Sequence, residues 1–413
     1  STLHATPREM GVTEPRLRKV DSESNQKTSD SIQSKADGNA CAKQSRSWSL
    51  LRSACLIFAG TLACLIATVF LVGKLAPTLF LKMGSSPFPG FVLWAITGNE
   101  MPPYFFPDAW SEAEMATWSK DGDLIVSTGI KSGTHWMLYC SHQIRTRGKG
   151  NWYDVNAETP WLDLRHKPGQ SWAELKELMN STVLKDGTRL KDHWDSPSYP
   201  FRIFKSHYAP KLGDGGVLPV RENPRIKYLA MTRHGLDVYA SLIPFFSQHT
   251  DSFKELWGGF PPNEPAEATF KSLMPGGNLY EHYFPYVRRW WSLRDEPNVL
   301  LLHYADAKKD LPGTVQKLAK FLEVDLTASE VEEVSNKCSF KHMKTLDDGM
   351  TLKLWGHDGS GIVKVGGTLR SGRNGDGVSV VTPEMKVEFE EALQREFSDP
   401  ELRRWALEGG GWQ

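Results

Sequence analysis

From residue 121 onward, short runs of apolar β-formers are each followed by a stretch that reads as a helix. "DLIVST" is such a run, with a helix expected from about Ser132. "FRIFKS" is a second, and "RIKYLAM" leads to a helix expected from about Leu236 to Phe245. "NVLLLHY" precedes a helix through "TVQKLAKFL", and Thr327-Ala-Ser-Glu330 is a capping box that opens another through Val334. Strand–helix alternation of this kind joins parallel neighbours and puts helices on both faces. The expected fold class is α/β, a mostly parallel sheet flanked by helices, and no internal sequence repeat accompanies it.

The 413 residues give ample core for one large domain or two ordinary ones. Forty-nine basic residues balance 49 acidic ones, so no global field draws nucleic acid or anionic lipid, and any polyanion site must be local. Five cysteines include Cys55 and Cys64 in an apolar stretch and Cys140 and Cys338 in the body; no CxxC or zinc spacing points to a disulfide scaffold or a metal.

Residues 1–49, rich in Ser, Lys, Gln, Asp and Asn, read as a disordered tail. "SACLIFAGTLACLIATVFLVG", residues 53–73, holds 21 positions without a charge, and as a helix would reach about 31 Å. That matches a bilayer core, so a single transmembrane helix is expected. Lys35, Lys43, Arg46 and Arg52 precede it, and Lys74 and Lys82 follow. The positive-inside rule then puts the tail in the cytosol and the body across the membrane, where the Asn180-Ser181-Thr182 sequon could be glycosylated. Residues 75–118 are apolar but broken by prolines, as in a membrane-proximal stem or a flap on the body, and residues 119–413 make the main domain.

"TGIKSGTHW" lies in the first strand-to-helix turn. Backbone N–H groups of Ser132 to His135 would open the helix, and Lys131 adds a full charge, as an anion site requires. A surface lysine in a turn is the plainer alternative. The order is not that of a Walker A loop, whose lysine follows its last glycine and whose hydroxyl serves magnesium. Lys205 and His207 stand two apart at a second strand end, and Arg233 ends a third with Ser241 eight residues on.

In order, these segments resemble the PAPS-dependent sulfotransferases (PAPS is 3′-phosphoadenylyl sulfate), from about Asp121 to Phe397. "DGDLIVSTGIKSGTHW" is similar to the family's 5′-phosphosulfate loop, [YF]PKSGTTW, and "FKSH" to its KTH segment. "TRHGLDVYAS" resembles RNPKDVAVS, "NVLLLHYAD" resembles VLFLFYED, "CSFKHMK" resembles TSFxxMK, and "RSGRNGDG" resembles RKGxxGDW. The resemblance implies a P-loop-like sulfotransferase fold that moves a sulfuryl group from PAPS, without a metal, and leaves 3′-phosphoadenylate (PAP). It implies Lys131 on the bridging oxygen, Ser132, Gly133, Thr134 and His135 as donors to the phosphosulfate, and Trp136 and Phe340 against adenine. Arg233, Ser241 and Arg370, with Ser371 and Gly372 beside them, would hold the 3′-phosphate, and Tyr304 would be a further nucleotide contact. His207 would be the general base and Lys205 a partner for the sulfuryl oxygens, its charge lowering the His207 pKa.

The departures are specific. Ile130 replaces a proline, His135 a threonine, Ser371 a lysine and Gly377 a tryptophan. Of the family's KxxxTVxxxE dimer segment, expected near Val378 to Val387, only Thr382 survives, so a family-style dimer is not supported. The tail and apolar span resemble the layout of Golgi-type members. A nucleotide kinase and a nucleotide-binding protein without turnover are the competing classes. The acceptor, a small molecule, lipid or glycan with a hydroxyl or amine, would meet residues 75–118 and 245–290. There, Phe245, Phe246, Trp257, Phe260, Tyr283 and Phe284 suggest an apolar wall or simply core.

Overall fold

The computed structural model describes residues 55–65, 67–68, 104–257, 259–261, 263–356, 361–370 and 372–411. The four expected strands form one sheet: β1 (Leu124–Thr128), β2 (Ile203–Ser206), β3 (Lys227–Thr232) and β4 (Val299–His303), all parallel in the order β2-β1-β3-β4. Every strand position except Lys227 is buried. Burial on both faces explains why the strands read as continuous apolar runs instead of alternating ones.

Successive strand residues feed two separate cores. Ile125, Ala230 and Leu301 pack on one side; Val126, Leu229, Met231 and Leu302 pack on the other. Helix α1 (Thr134–Arg145), which follows β1, contributes Met137, Leu138 and Ile144 to the second core. Helix α2 (Gly235–Ser247), which follows β3, contributes Leu236, Val238 and Leu242 to the first. The chain therefore leaves β1 over one face of the sheet and leaves β3, its neighbour, over the other. Such a switch opens a crevice at the carboxyl ends of the two strands, where α/β proteins bind ligands.

Element boundaries differ from expectation in two places. Helix α1 begins at Thr134, not Ser132, because Gly133 takes a φ of 103° and breaks the helical run. Helix α2 continues through Pro244 to Ser247. The Thr327–Glu330 capping box is present in both halves: Glu330 N–H donates to Thr327 Oγ1 at 3.3 Å and Thr327 N–H to Glu330 Oε2 at 2.8 Å.

Of the 53–73 span, residues 55–65 and 67–68 are helical and the rest lies outside the described residues, as do the 1–49 tail and residues 75–103. Among the described residues no helix is long and apolar enough to cross a membrane. Residues 104–118 carry a short helix, Glu112–Trp118, and pack on the sheet domain: Phe106 and Trp110 are buried, and the Trp110 indole donates to Asp163 at 2.6 Å.

Candidate functional site

All four strands end at one rim, and each delivers a polar side chain there. Lys131 follows Thr128 by one turn, His207 directly follows Ser206, Arg233 follows Thr232, and Tyr304 follows His303. A cavity of about 400 Å³ lies along this rim and is lined by all four.

The turn after β1 is tightly made. Gly129 N–H donates to Met231 O at 3.0 Å and Ser132 N–H to Gly129 O at 3.1 Å. Lys131 is forced to a φ of 54°, a left-handed backbone that costs a non-glycine residue roughly 1–3 kcal/mol. Gly133 is favoured by its left-handed φ, and a Cβ there would press tightly on Met231 Sδ at 3.0 Å and the Tyr304 ring at 3.1 Å. Gly133, Thr134, His135 and Trp136 face the cavity at the opening of α1, where helix N–H groups have no intrahelical partner. Ser132 does not. It is buried, its N–H donates to Gly129 O, and its hydroxyl donates back to Ile130 O at 3.2 Å.

The charged groups lie close together. Lys131 Nζ sits 3.8 Å over the Phe245 ring, and Lys205 Nζ lies 3.3 Å over the Trp161 ring. Burial, then Arg233 and Arg370, bring the Lys131 ammonium down to about 7. Burial pushes Lys205 far below its ordinary value, with Asp163 opposing and Lys131 adding to the shift. Lys205 is buried and Lys131 half-buried, and an anion beside two such mutually repelling lysines would favour their charged forms.

His207 is held at three points. Its N–H donates to Asp163 Oδ2 at 2.8 Å, its ring lies edge-on to Trp161 at 5.1 Å, and its Nδ1 lies 2.9 Å from Thr128 O. A carbonyl can only accept, so Nδ1 carries the proton and Nε2 keeps its lone pair. Its pKa is far below the ordinary histidine value. Burial is the largest cause and Lys205 the second, the reverse of the emphasis expected from the sequence. His135 is likewise held neutral, by burial first and then Lys205, and its Nε2 is buried without a hydrogen-bond partner among the described residues.

The expected nucleotide residues gather at the other end of the cavity. Arg233 is buried, 4.5 Å over the Tyr304 ring, and donates to Arg373 O at 2.5 Å. It pairs with Asp237 at 3.5 Å, and Asp237 in turn accepts from Gly375 N–H at 3.0 Å and Gly377 N–H at 2.9 Å. That fastens the 372–377 loop onto α2. The close seating requires Gly377, where a Cβ would lie 2.5 Å from the Leu236 carbonyl carbon. Ser241, Arg370, Gly372 and the half-exposed Phe340 complete this end, with Arg370 paired to Asp376 at 2.7 Å. Trp136 is anchored by its indole to Cys338 O at 2.8 Å, edge-on to Tyr304. Ser371 lies outside the described residues.

Several residues had no sequence signal. Asp163 takes hydrogen bonds from Trp110, Trp161, Ser206 and His207, and burial raises it to about 6. His249, His282 and Lys308 also line the cavity, and burial brings both of these histidines down to about 4. Of the suggested apolar wall, Phe245, Phe246 and Phe260 face the cavity, joined by Tyr104 and Phe105. Trp257, Tyr283 and Phe284 are core instead. Among the described residues no group of His, Cys, Asp or Glu could hold a metal.

A sulfotransferase-domain family model matches residues 121–401. Sulfotransferase 2A6 of Mus musculus is 30% identical over 245 residues, covering 58% of this chain and 74% of its own. The 3-beta-hydroxysteroid sulfotransferase of Cavia porcellus is 28% identical over 308 residues, covering 73% and 93%. Among solved structures, mouse sulfotransferase SULT7A1 complexed with PAP is similar in fold, with a TM-score of 0.51, 19% identity, and 74% and 97% of the two chains covered.

Proposed function

This chain belongs to the PAPS-dependent sulfotransferase family, and from that premise we propose that it transfers the sulfuryl group of PAPS to a hydroxyl of an apolar small molecule, with His207 as general base. The observation that carries the reading is the His207 tautomer. With Nδ1–H spent on Thr128 O, the Nε2 lone pair belongs to a neutral imidazole on the same cavity as Lys131 and Lys205. A hydroxyl is a poor nucleophile until its proton is being taken, and this nitrogen can take it.

In the proposed reaction the acceptor oxygen bonds to sulfur as its proton passes to His207 Nε2. The bond from sulfur to the bridging oxygen breaks, and its electron pair stays on that oxygen, completing PAP. Lys131, protonated beside a polyanion, stabilises the charge that grows there, and Lys205 stabilises the sulfuryl oxygens. The imidazolium then loses its proton to water. Arg233, Ser241 and Arg370 hold the 3′-phosphate, and Trp136 and Phe340 flank the base.

Tyr104, Phe105, Phe245 and Phe246 give the acceptor end an apolar wall, which favours a steroid-like or other hydrophobic alcohol over a sugar. The Cavia porcellus relative is named for a steroid hydroxyl. Labelled sulfur transferred from PAPS to such an alcohol tests the reading. Transfer of phosphate from ATP, or PAP binding with no turnover on any alcohol, phenol or amine, would overturn it.

The 53–73 segment is read here as a membrane anchor with the body on the lumenal side, as in Golgi-type members. Its uncharged length supports this, as do the exposed side chains of Leu56, Ile57 and Phe58 in the helical part. Carbonate extraction of the full chain that leaves it in the supernatant would refute the anchor. An unglycosylated Asn180, exposed on its helix, would refute the orientation.

A further inference from the structure

Cations from three separate segments meet at the phosphate end of the cavity, which Arg233, Lys308 and Arg370 line together. Arg233 pairs with Asp237 and Arg370 with Asp376. Lys308 stands in the same electrostatic neighbourhood as Arg233. A phosphate monoester carries about −1.5 to −2 near neutral pH, a charge that one cation alone does not balance.

Lys308 is the member of this group that the sequence motifs did not mark. It lies in the helix Tyr304–Lys309, one turn beyond Tyr304, and lines the cavity with Arg233, Ser241 and Arg370. Its Nζ donates to Gly372 O, a neutral carbonyl at the start of the loop that Asp237 fastens. An ammonium has three donors, so a bond to Gly372 leaves others for an anion. Burial and the charge of Arg233 lower its pKa, as expected of a cation placed among cations before its counter-ion arrives.

We propose that Lys308 is a third cationic ligand of the 3′-phosphate, joining Arg233 and Arg370 and tying the occupied phosphate to the 372–377 loop. This rests on the reading of the cavity as a PAPS site. It makes Lys308 a specificity residue: it distinguishes a nucleotide with a 3′-phosphate from one without, and it does not touch the reacting sulfur.

The test is calorimetric titration of the full chain with PAP and with adenosine 5′-monophosphate. Wild type, Lys308→Met, Lys308→Gln and Lys308→Arg are compared, each checked for an unchanged melting temperature. Lys308→Met should weaken PAP binding about tenfold and leave the monophosphate within twofold, as loss of one charge-assisted contact to the extra phosphate requires. Lys308→Gln keeps a donor for Gly372 O without the charge and should behave like the methionine variant, while Lys308→Arg should keep most of the preference. PAP affinity unchanged in Lys308→Met would overturn the proposal. So would an equal loss for both nucleotides, or recovery in Lys308→Gln, because Lys308 would then only secure the loop. A wild-type protein that binds both nucleotides equally would instead overturn the PAPS reading, whatever Lys308 does.

Discussion

Raising the pH from 7 to 9 should weaken PAP binding steeply, and the structure sets the size of the effect. Burial, and then Arg233 and Arg370, disfavour the Lys131 charge and bring it down to about 7 in the free protein. A polyanion beside Nζ favours the ammonium, so in the complex the lysine stays protonated to well above 9. Binding therefore takes up a proton. The sign follows: affinity is complete below the free pKa and is lost as pH rises through it. Half of the free protein carries the ammonium at pH 7 and about one hundredth at pH 9, so Kd rises roughly fiftyfold, or ~2.3 kcal/mol. Neither His135, His207, His249 nor His282 contributes, since burial holds all four below their ordinary value and neutral throughout. The second ionisation of the 3′-phosphate is nearly complete by pH 7. Calorimetry in two buffers of different ionisation enthalpy should show proton uptake rising from about one half to nearly one across this range. Lys131→Arg keeps its charge at every pH and should lose most of the slope, any remainder belonging to Lys205. A flat Kd between pH 7 and 9, or an arginine variant with the wild-type slope, would refute the argument.

Other variants probe separate parts of the site. His207→Ala should lower kcat by about 10²–10⁴ with PAP affinity nearly unchanged, and His207→Gln should be almost as poor; full turnover in either would remove the base from this position. Arg233→Ala should weaken PAP binding at least tenfold and reduce, without abolishing, the preference over adenosine 5′-monophosphate, read by titration, because it removes both one phosphate ligand and the tie to Arg373 O. Gly377→Ala puts a Cβ 2.5 Å from the Leu236 backbone, so the loop must shift; a strain of about 1–3 kcal/mol should appear as weaker PAP binding, not as a lower kcat. Glu158→Gln leaves the buried Arg145, now 3.1 Å from Glu158 Oε2, without its counter-ion, and a urea titration should show a loss of about 3–5 kcal/mol.

What the sequence revealed and what it hid divide along physical lines. The strands were legible because two-sided burial writes itself as an unbroken run such as Leu124-Ile-Val, and the Thr327 helix because a capping box is local. Lys131, His207, Arg233 and Tyr304 were legible because a residue just past a strand end has only one rim to go to. His249, His282 and Lys308, which line the cavity, and Asp163, which holds His207 from behind, were not, because each comes from a segment whose position is fixed only by tertiary packing. Ser132 differs again. Its place in the turn is plain in the sequence, but not that the turn would bond its N–H to Gly129 O and its hydroxyl to Ile130 O. Gly377 looked like a lost contact, and packing shows that the loop can lie against Leu236 only with glycine there.

The strand-end construction of the site also bears on the order in which the protein is made. Lys131, His207, Arg233 and Tyr304 hang from four different strands, and β4, the last of them, pairs among the described residues with β3 alone. A chain still emerging from the ribosome has the turn after β1 early, but the proposed clamp stays incomplete until β4, and after it Phe340, Arg370 and the 372–377 loop, have been released and docked. Until then the nucleotide cannot act as a template for folding, since its binding energy requires contacts that do not yet exist. Once they do, release of the ligand must precede detachment of β4, so PAP should slow unfolding while leaving the folding rate alone.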